Sequence, residues 1–292
     1  MALVQSLVAG LCVVVVSALP QTAASASTPD GPQQRTAQAV TTKPGISLAR
    51  ATGEVVQVGA AVQFTGTAPK KVRGLRLVLQ RRDSAKSPWL KVGTTKVSST
   101  GAFTVAGKAG RVGTNAWRAV ATHVKKSHQK SKRPKKTVFT SSAVNTTVYG
   151  WFFLTDKDWV DSFDQGGSYP DTGNMTVGGI SYPRSVSFGS YTTSWDWEFP
   201  AWAEYNLSYR CLQLTASLGI SDGSETGTNA TFFVSVDGAR AEVGTKGLGP
   251  ASPIAVDVTN ALRIRLEGIP NSRNLYGFGG FGDAQVLCNK AP

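Results

Sequence analysis

The sequence predicts an all-β fold, and three observations predict it. Apolar residues recur at every second position over short runs, the mark of half-buried strands. Glycines (31) and prolines (14) interrupt those runs at turn-like spacing. No amphipathic helical pattern of useful length occurs anywhere in the 292 residues.

At roughly 100–200 residues per domain, the length allows one large domain or two ordinary ones. With 41% apolar residues the chain can bury a core, which excludes a disordered chain or a disulfide-only mini-protein. The charge favours two domains. Residues 1–150 hold 22 Lys/Arg against 3 Asp/Glu, net +19, whereas residues 151–292 hold 9 against 15, net −6. Halves of opposite sign point to different surface tasks. The expected division is residues 1–26 as an export signal, 27–45 as a flexible linker, 46–149 as a basic β-sandwich and 150–292 as a second β-sandwich or jelly roll.

Residues 7–19 (LVAGLCVVVVSAL) form an apolar run too short for a membrane span but of signal-peptide length. Ala24-Ser25-Ala26 supplies the small-x-small pattern of a cleavage site, so cleavage is placed after Ala26. Met1 to Ser6 carry no Lys or Arg, and an uncleaved anchor is the alternative. A secreted, extracellular chain would lose Cys12 and keep Cys211 and Cys288. In an oxidising compartment that pair is expected as a disulfide, with buried free thiols as the alternative. Zinc of His/Cys type is not expected, because His123 and His128 lie in the other half.

In the first half, residues 61–64, 75–79, 89–92, 102–105, 116–122 and 138–148 read as strands. Six or seven strands in about 100 residues suggest a sandwich of immunoglobulin type. Between two late strands, residues 125–136 (KKSHQKSKRPKK) gather Lys125, Lys126, Lys130, Lys132, Arg133, Lys135 and Lys136 with no acid. Such a run reads as a solvated loop. It would touch polyanions such as anionic cell-envelope polymers in a salt-sensitive way, or it would merely solubilise the domain. No aromatics interleave the run, so a specific nucleic-acid site is not expected.

In the second half, Leu212, Leu214, Ala216, Leu218 and Ile220 alternate with polar or small residues. Phe232, Val234 and Val236 run into Asp237-Gly238, a strong hairpin dipeptide. Ile254, Val256 and Val258, then Leu262, Ile264 and Leu266, give two more strands, and residues 284–288 give a terminal one.

Several ordered segments of this half carry a resemblance. They are Phe153-Leu154-Thr155-Asp156, then Met175-Thr176-Val177-Gly178-Gly179-Ile180-Ser181-Tyr182, then Leu218-Gly219-Ile220-Ser221-Asp222. Phe232-x-Val234-x-Val236-Asp237-Gly238 and Ile254-x-Val256-Asp257-Val258 complete the set. Together they resemble the NPCBM family, a carbohydrate-binding module appended to glycoside hydrolases. The resemblance implies a galactose-binding-like jelly roll that binds glycans without catalysis, sometimes with a structural calcium ion. Two departures stand out. Where the family has Gly-x-His-Ala-x-Ser, this chain has Ser185 to Ser190, with Phe188 near the expected histidine. The family's acidic and aromatic run before the last strand is replaced by Tyr276-Gly277-Phe278-Gly279-Gly280-Phe281-Gly282-Asp283.

Catalytic motifs are absent from the sequence. The second half has no histidine for a Ser-His-Asp or Cys-His arrangement, and no Gly-x-Ser-x-Gly elbow occurs. A glycosidase needs only two carboxylates, so Asp196, Glu198 and Glu204 keep a secreted glycoside hydrolase open as the enzymatic alternative. Sugar sites join aromatic platforms to hydrogen-bonding side chains. Trp195, Trp197, Trp202 and Tyr205 lie beside those acids, with Pro200 breaking the run. The stretch Tyr276, Phe278, Phe281, separated by glycines, reads as a second loop able to line a cleft. The expectation is a sugar stacked on Trp195, Trp197 or Trp202, its hydroxyls held by Asp196, Glu198 and Arg184, with Tyr276 nearby. Core packing is the alternative use of these rings. No cofactor is required; Asp156, Asp158 and Asp161, or Asp222 and Glu225, offer oxygen ligands to calcium.

Overall fold

Alternation of inward apolar and outward polar side chains organises the chain in two successive sandwiches. The computed structural model describes residues 45–51, 53, 55–125, 135–163, 168–190, 200–271 and 276–292. The first strands are β1 (Ala49–Arg50), β2 (Val56–Gln57), β3 (Ala61–Thr67), β4 (Arg76–Arg82) and β5 (Leu90–Lys96). They continue as β6 (Ala102–Lys108), β7 (Gly113–Lys125), β8 (Lys135–Thr140) and β9 (Val144–Phe153). One sheet has the order β1-β3-β6, and the other runs β5-β4-β7 with β8 and β9 both on the free edge of β7.

Period 2 sets what is buried. On β3 Val62 and Phe64 point inward, on β4 Leu77 and Leu79, and on β6 Phe103 and Val105. The Phe64 ring meets Trp117 of β7 at 4.9 Å between centroids and 44°, and both are fully buried. Each such side chain contributes about 1.5–3 kcal/mol of burial. The expected single strand over residues 138–148 is two strands. Its break is made by Ser141, whose hydroxyl accepts the Ala119 N–H at 2.9 Å and donates to the Ser142 carbonyl at 2.8 Å. A side-chain oxygen thus replaces a ladder acceptor, and the chain re-enters the ladder at Val144, opposite Trp117.

β9 then runs past residue 149. Val144 to Val148 pair with β7, while Gly150, Trp151, Phe152 and Phe153 pair with Cys288, Leu287, Val286 and Gln285 of β19 (Gly277–Cys288). Residues 43–292 form one compact unit that contains two apolar cores, one over residues 46–148 and one over 154–288.

The second sandwich continues with β10 (Asp161–Phe163), β11 (Ser168–Val177), β12 (Ile180–Ser190), β13 (Ala201–Asn206) and β14 (Cys211–Ile220). Then follow β15 (Asn229–Val236), β16 (Ala239–Gly247), β17 (Ser252–Asp257) and β18 (Arg263–Pro270), before β19. One sheet has the order β10-β13-β18-β15-β16. In the other, β19 is flanked by β14, which carries β17, and on its second edge by β12 with β11, and by β9 further along. Phe232, Leu266 and Ala203 of the first sheet pack against Leu214, Leu218 and Phe281 of the second. All pairs between these strands are antiparallel.

One turn is fixed as the sequence suggests. Asp237 and Gly238 take φ of 49° and 87°, the left-handed pair a two-residue hairpin needs. Gly178 and Gly179 do the same at 57° and 79°, and the Asp222 carboxylate accepts their N–H groups at 2.7 and 2.8 Å. The fold is all-β as expected, and no helix among the described residues is long and apolar enough to cross a membrane. One expectation is corrected: Tyr276 to Asp283 is not a loop, since all but Tyr276 lie in β19, and Phe281 is fully buried. At Gly280 a β-carbon would lie 2.3 Å from the Val186 carbonyl oxygen of β12, so only glycine allows that approach.

Cys211 and Cys288 form a disulfide between β14 and β19, 77 residues apart in sequence. Replacing both by alanine is expected to lower unfolding free energy by about 4–5 kcal/mol, as loop-closure entropy dictates, read from urea denaturation. Gly280→Ala is expected to cost about 1–3 kcal/mol through overpacking, with the midpoint falling and the denaturant slope unchanged.

Candidate functional site

The connections β12–β13, β14–β15 and β18–β19 spring from one end of the second sandwich, because Ser190 and Gly277 are register partners there. Between the two sheets at that end lies a small apolar cleft of about 30 Å³ that opens to solvent. Phe188, Ala201, Ile220, Phe232, Gly268 and Phe278 are among its lining residues. Glycines make room for its rings. A β-carbon at Gly189 would fall 2.3 Å from Phe278, and one at Gly268 would fall 2.8 Å from Phe188.

Aromatic rings continue outward from the cleft. Phe278 meets Tyr169 edge-on at 6.2 Å and Tyr276 edge-on at 5.2 Å, the tilted geometry that ring quadrupoles favour. The β14–β15 connection is tied to this rim. The Ser221 N–H donates to the Phe278 carbonyl at 2.8 Å, and the Glu225 N–H to the Tyr276 carbonyl at 2.9 Å. Ser224 Oγ accepts the Phe278 N–H at 3.0 Å. Backbone bonds therefore fix the rim in place. Phe188, standing near the position of the family's histidine, is 7% exposed and packs edge-on against Phe281 at 6.1 Å. The site this residue lines is apolar where a histidine would have made it polar.

The structure separates several residues that the sequence grouped. Trp202 and Tyr205 are three apart on β13, so they face opposite sides of the sheet. Tyr205 is 1% exposed, a core residue rather than a platform, and burial pushes its phenol up in pKa. Trp202 is half-buried on the outer face, and its ring is already engaged. The Arg265 guanidinium lies 3.7 Å over it, and Phe163 is parallel to it within 10° at 6.1 Å. Glu204, two residues on, is bound by Arg263 and Arg265, each at 3.0 Å. Glu267 is held likewise by Arg240 at 2.8 Å, whose guanidinium sits 3.3 Å over Phe233. This face is a self-satisfied net of ion pairs and covered rings.

Arg184 is not brought to the cleft. Six residues from Ser190 along β12, it lies about 20 Å from that end at 3.3 Å per residue. There it pairs with Asp156 and stands 4.7 Å over the Phe153 ring, and its N–H donates to Asp283 at 3.0 Å. Trp195, Asp196, Trp197 and Glu198 lie outside the described residues, in the connection between Ser190 and Ala201. Of the basic run, Lys125 ends β7 and Lys136 lies in β8, both exposed. Lys135 begins β8, and Lys126, Lys130, Lys132 and Arg133 lie outside the described residues.

Among the described residues no group of three or more His, Cys, Asp or Glu is gathered as metal ligands would be. The Asp222 carboxylate is engaged by its turn and Asp156 by Arg184. Sequence reasoning brought Phe278 to a cleft, as the structure does, but passed over Tyr169, Ile220 and Phe232.

No curated protein matches the chain. Its C-terminal half, residues 146–286, matches the family model of the NPCBM/NEW2 domain and carries the cleft, the aromatic rim and the disulfide-linked β14.

Proposed function

We propose that this chain is a secreted, non-catalytic glycan-binding protein whose site is the loop end of the C-terminal sandwich. The observation that carries this reading is an apolar cleft rimmed by Tyr169, Phe278 and Tyr276 within the segment that matches a carbohydrate-binding family. A pyranose offers an apolar C–H face and a ring of hydroxyls. The rim supplies the surface for the first, and side chains of the neighbouring connections supply partners for the second. Trp195 and Trp197, with Asp196 and Glu198, belong to the connection that leaves this end, and they are the sequence-derived candidates for the second role. Trp202 is assigned instead to the outer face, because Arg265 already covers its ring. No cofactor is required.

A glycoside hydrolase is the enzymatic alternative. Glu204 is poorly suited to it, being tied to two guanidinium groups on the outer face. A hydrolytic pair would fall to Asp196 and Glu198.

The test is a glycan-array screen of residues 27–292 at about 0.15 and 0.5 M salt, where screening lengths differ. Binding to neutral glycans is expected to survive the higher salt and to be unchanged by EDTA. Tyr276→Ala and Trp197→Ala are expected to weaken it at least tenfold, and Trp202→Ala to leave it within about twofold. Shortened glycan products after incubation, lost in Asp196→Asn or Glu198→Gln, would assign the hydrolase instead.

A further inference from the structure

The excess positive charge of the first half has a built surface of its own, separate from the cleft. On the solvent face of the β5-β4-β7-β8 sheet, register places Lys96 beside Arg76 and puts Lys91, Gln80 and Arg118 in one row. Arg82 follows on the same face of β4, and Lys136 on β8 lies opposite Val124 of β7. Cross-strand neighbours are about 4.8 Å apart, and alternate residues along a strand about 6.7 Å. Lys91 and Arg118, two strands apart, are therefore separated by about 10 Å at the backbone. Six cations share this face. Among the described residues none of the six is in an ion pair; the ion pair of this half joins Arg81 to Asp83.

This face is also pre-shaped. Two of the guanidinium groups lie against the Trp89 ring, Arg118 at 4.2 Å and Arg82 at 4.8 Å from its centroid. Gln80 Oε1 accepts from Arg118 Nε at 2.8 Å, which leaves the terminal nitrogens of that fork directed elsewhere. Unpaired cations repel one another, so holding them together costs stability unless an anion joins them. Stacked guanidinium groups give up less freedom when they bind.

We propose that this sheet face binds a linear acidic polysaccharide, its sulfate or carboxylate groups bridging Lys96–Arg76 and Lys91–Arg118. The spacing suits oxyanions repeated along an extended chain. The occupant is not single-stranded nucleic acid, because base stacking needs an open aromatic face and both arginines crowd Trp89. This site stands whether or not the cleft binds a glycan, and it consists of folded strands rather than residues 126–134.

The experiment uses the full chain, with a sulfated polysaccharide and polygalacturonate as the two probes and single-stranded DNA as comparator. Affinity for at least one probe is expected to fall with salt. The charge-removing variant R76Q/K91Q/K96Q is expected to bind it at least tenfold more weakly, with the log–log salt slope reduced by about one per lost contact. The charge-keeping variant R76K/K91R/K96R is expected to bind like the parent, which separates charge from folding. K130Q/K132Q/R133Q, in the run between β7 and β8, is expected to change affinity less than threefold. Full binding by the charge-removing variant, loss confined to the K130Q/K132Q/R133Q variant, or tighter binding of DNA than of either polysaccharide would each overturn the proposal.

Discussion

The backbone ladder of β9 is the constraint on which the rest of this structure depends. One ten-residue strand completes the sheet of the first sandwich through Val144–Val148 and an edge of the second through Gly150–Phe153. Inter-domain segments are by default flexible and contribute few contacts. Here the residues at that place donate and accept in two ladders, and β2 adds a parallel pair at Val148 and Tyr149. Gly150 marks how tightly the chain is drawn, since a β-carbon there would meet Val112 at 2.5 Å. The disulfide secures the other participant, because Cys288 pairs with both Gly150 and Cys211.

The two halves handle charge in opposite ways. In the second, Arg184, Arg240, Arg263 and Arg265 all meet a carboxylate, and two of them also cover an aromatic ring of the outer face. In the first, three acids cannot serve 22 cations, and two arginines of the sheet face, Arg82 and Arg118, turn to Trp89 instead. Cation–π contacts steady a guanidinium without neutralising it. One half consequently pairs its outer-face arginines and presents an apolar cleft, the other an open field of positive charge.

Much of the fold was legible because alternation is a direct record of burial. The runs at Leu214–Ile220 and Phe232–Val236 read as strands because each second side chain enters the core. β19 was not legible over its first half. Glycine has low strand preference and no side chain to alternate, and what makes Gly279 and Gly280 a strand is the crowding of Ile220, Phe232 and the β12 backbone around them. Residues 138–148 looked continuous because Ser141 breaks them with a hydroxyl rather than with Gly or Pro. The site was legible in composition but not in placement. Trp202 and Tyr205 are neighbours in the sequence and lie on opposite faces of one strand, while Phe188 and Phe278 are ninety residues apart and line one cleft.

A strand held in two ladders also bears load. Separating the two sandwiches at this junction would require breaking the backbone hydrogen bonds of β9 to β7 or to β19 instead of straightening a slack tether. The junction offers a protease no extended, unpaired backbone over residues 144–153 to draw into its cleft. A tether that anchored one half to a polymer would therefore pass mechanical force to the other half through this ladder.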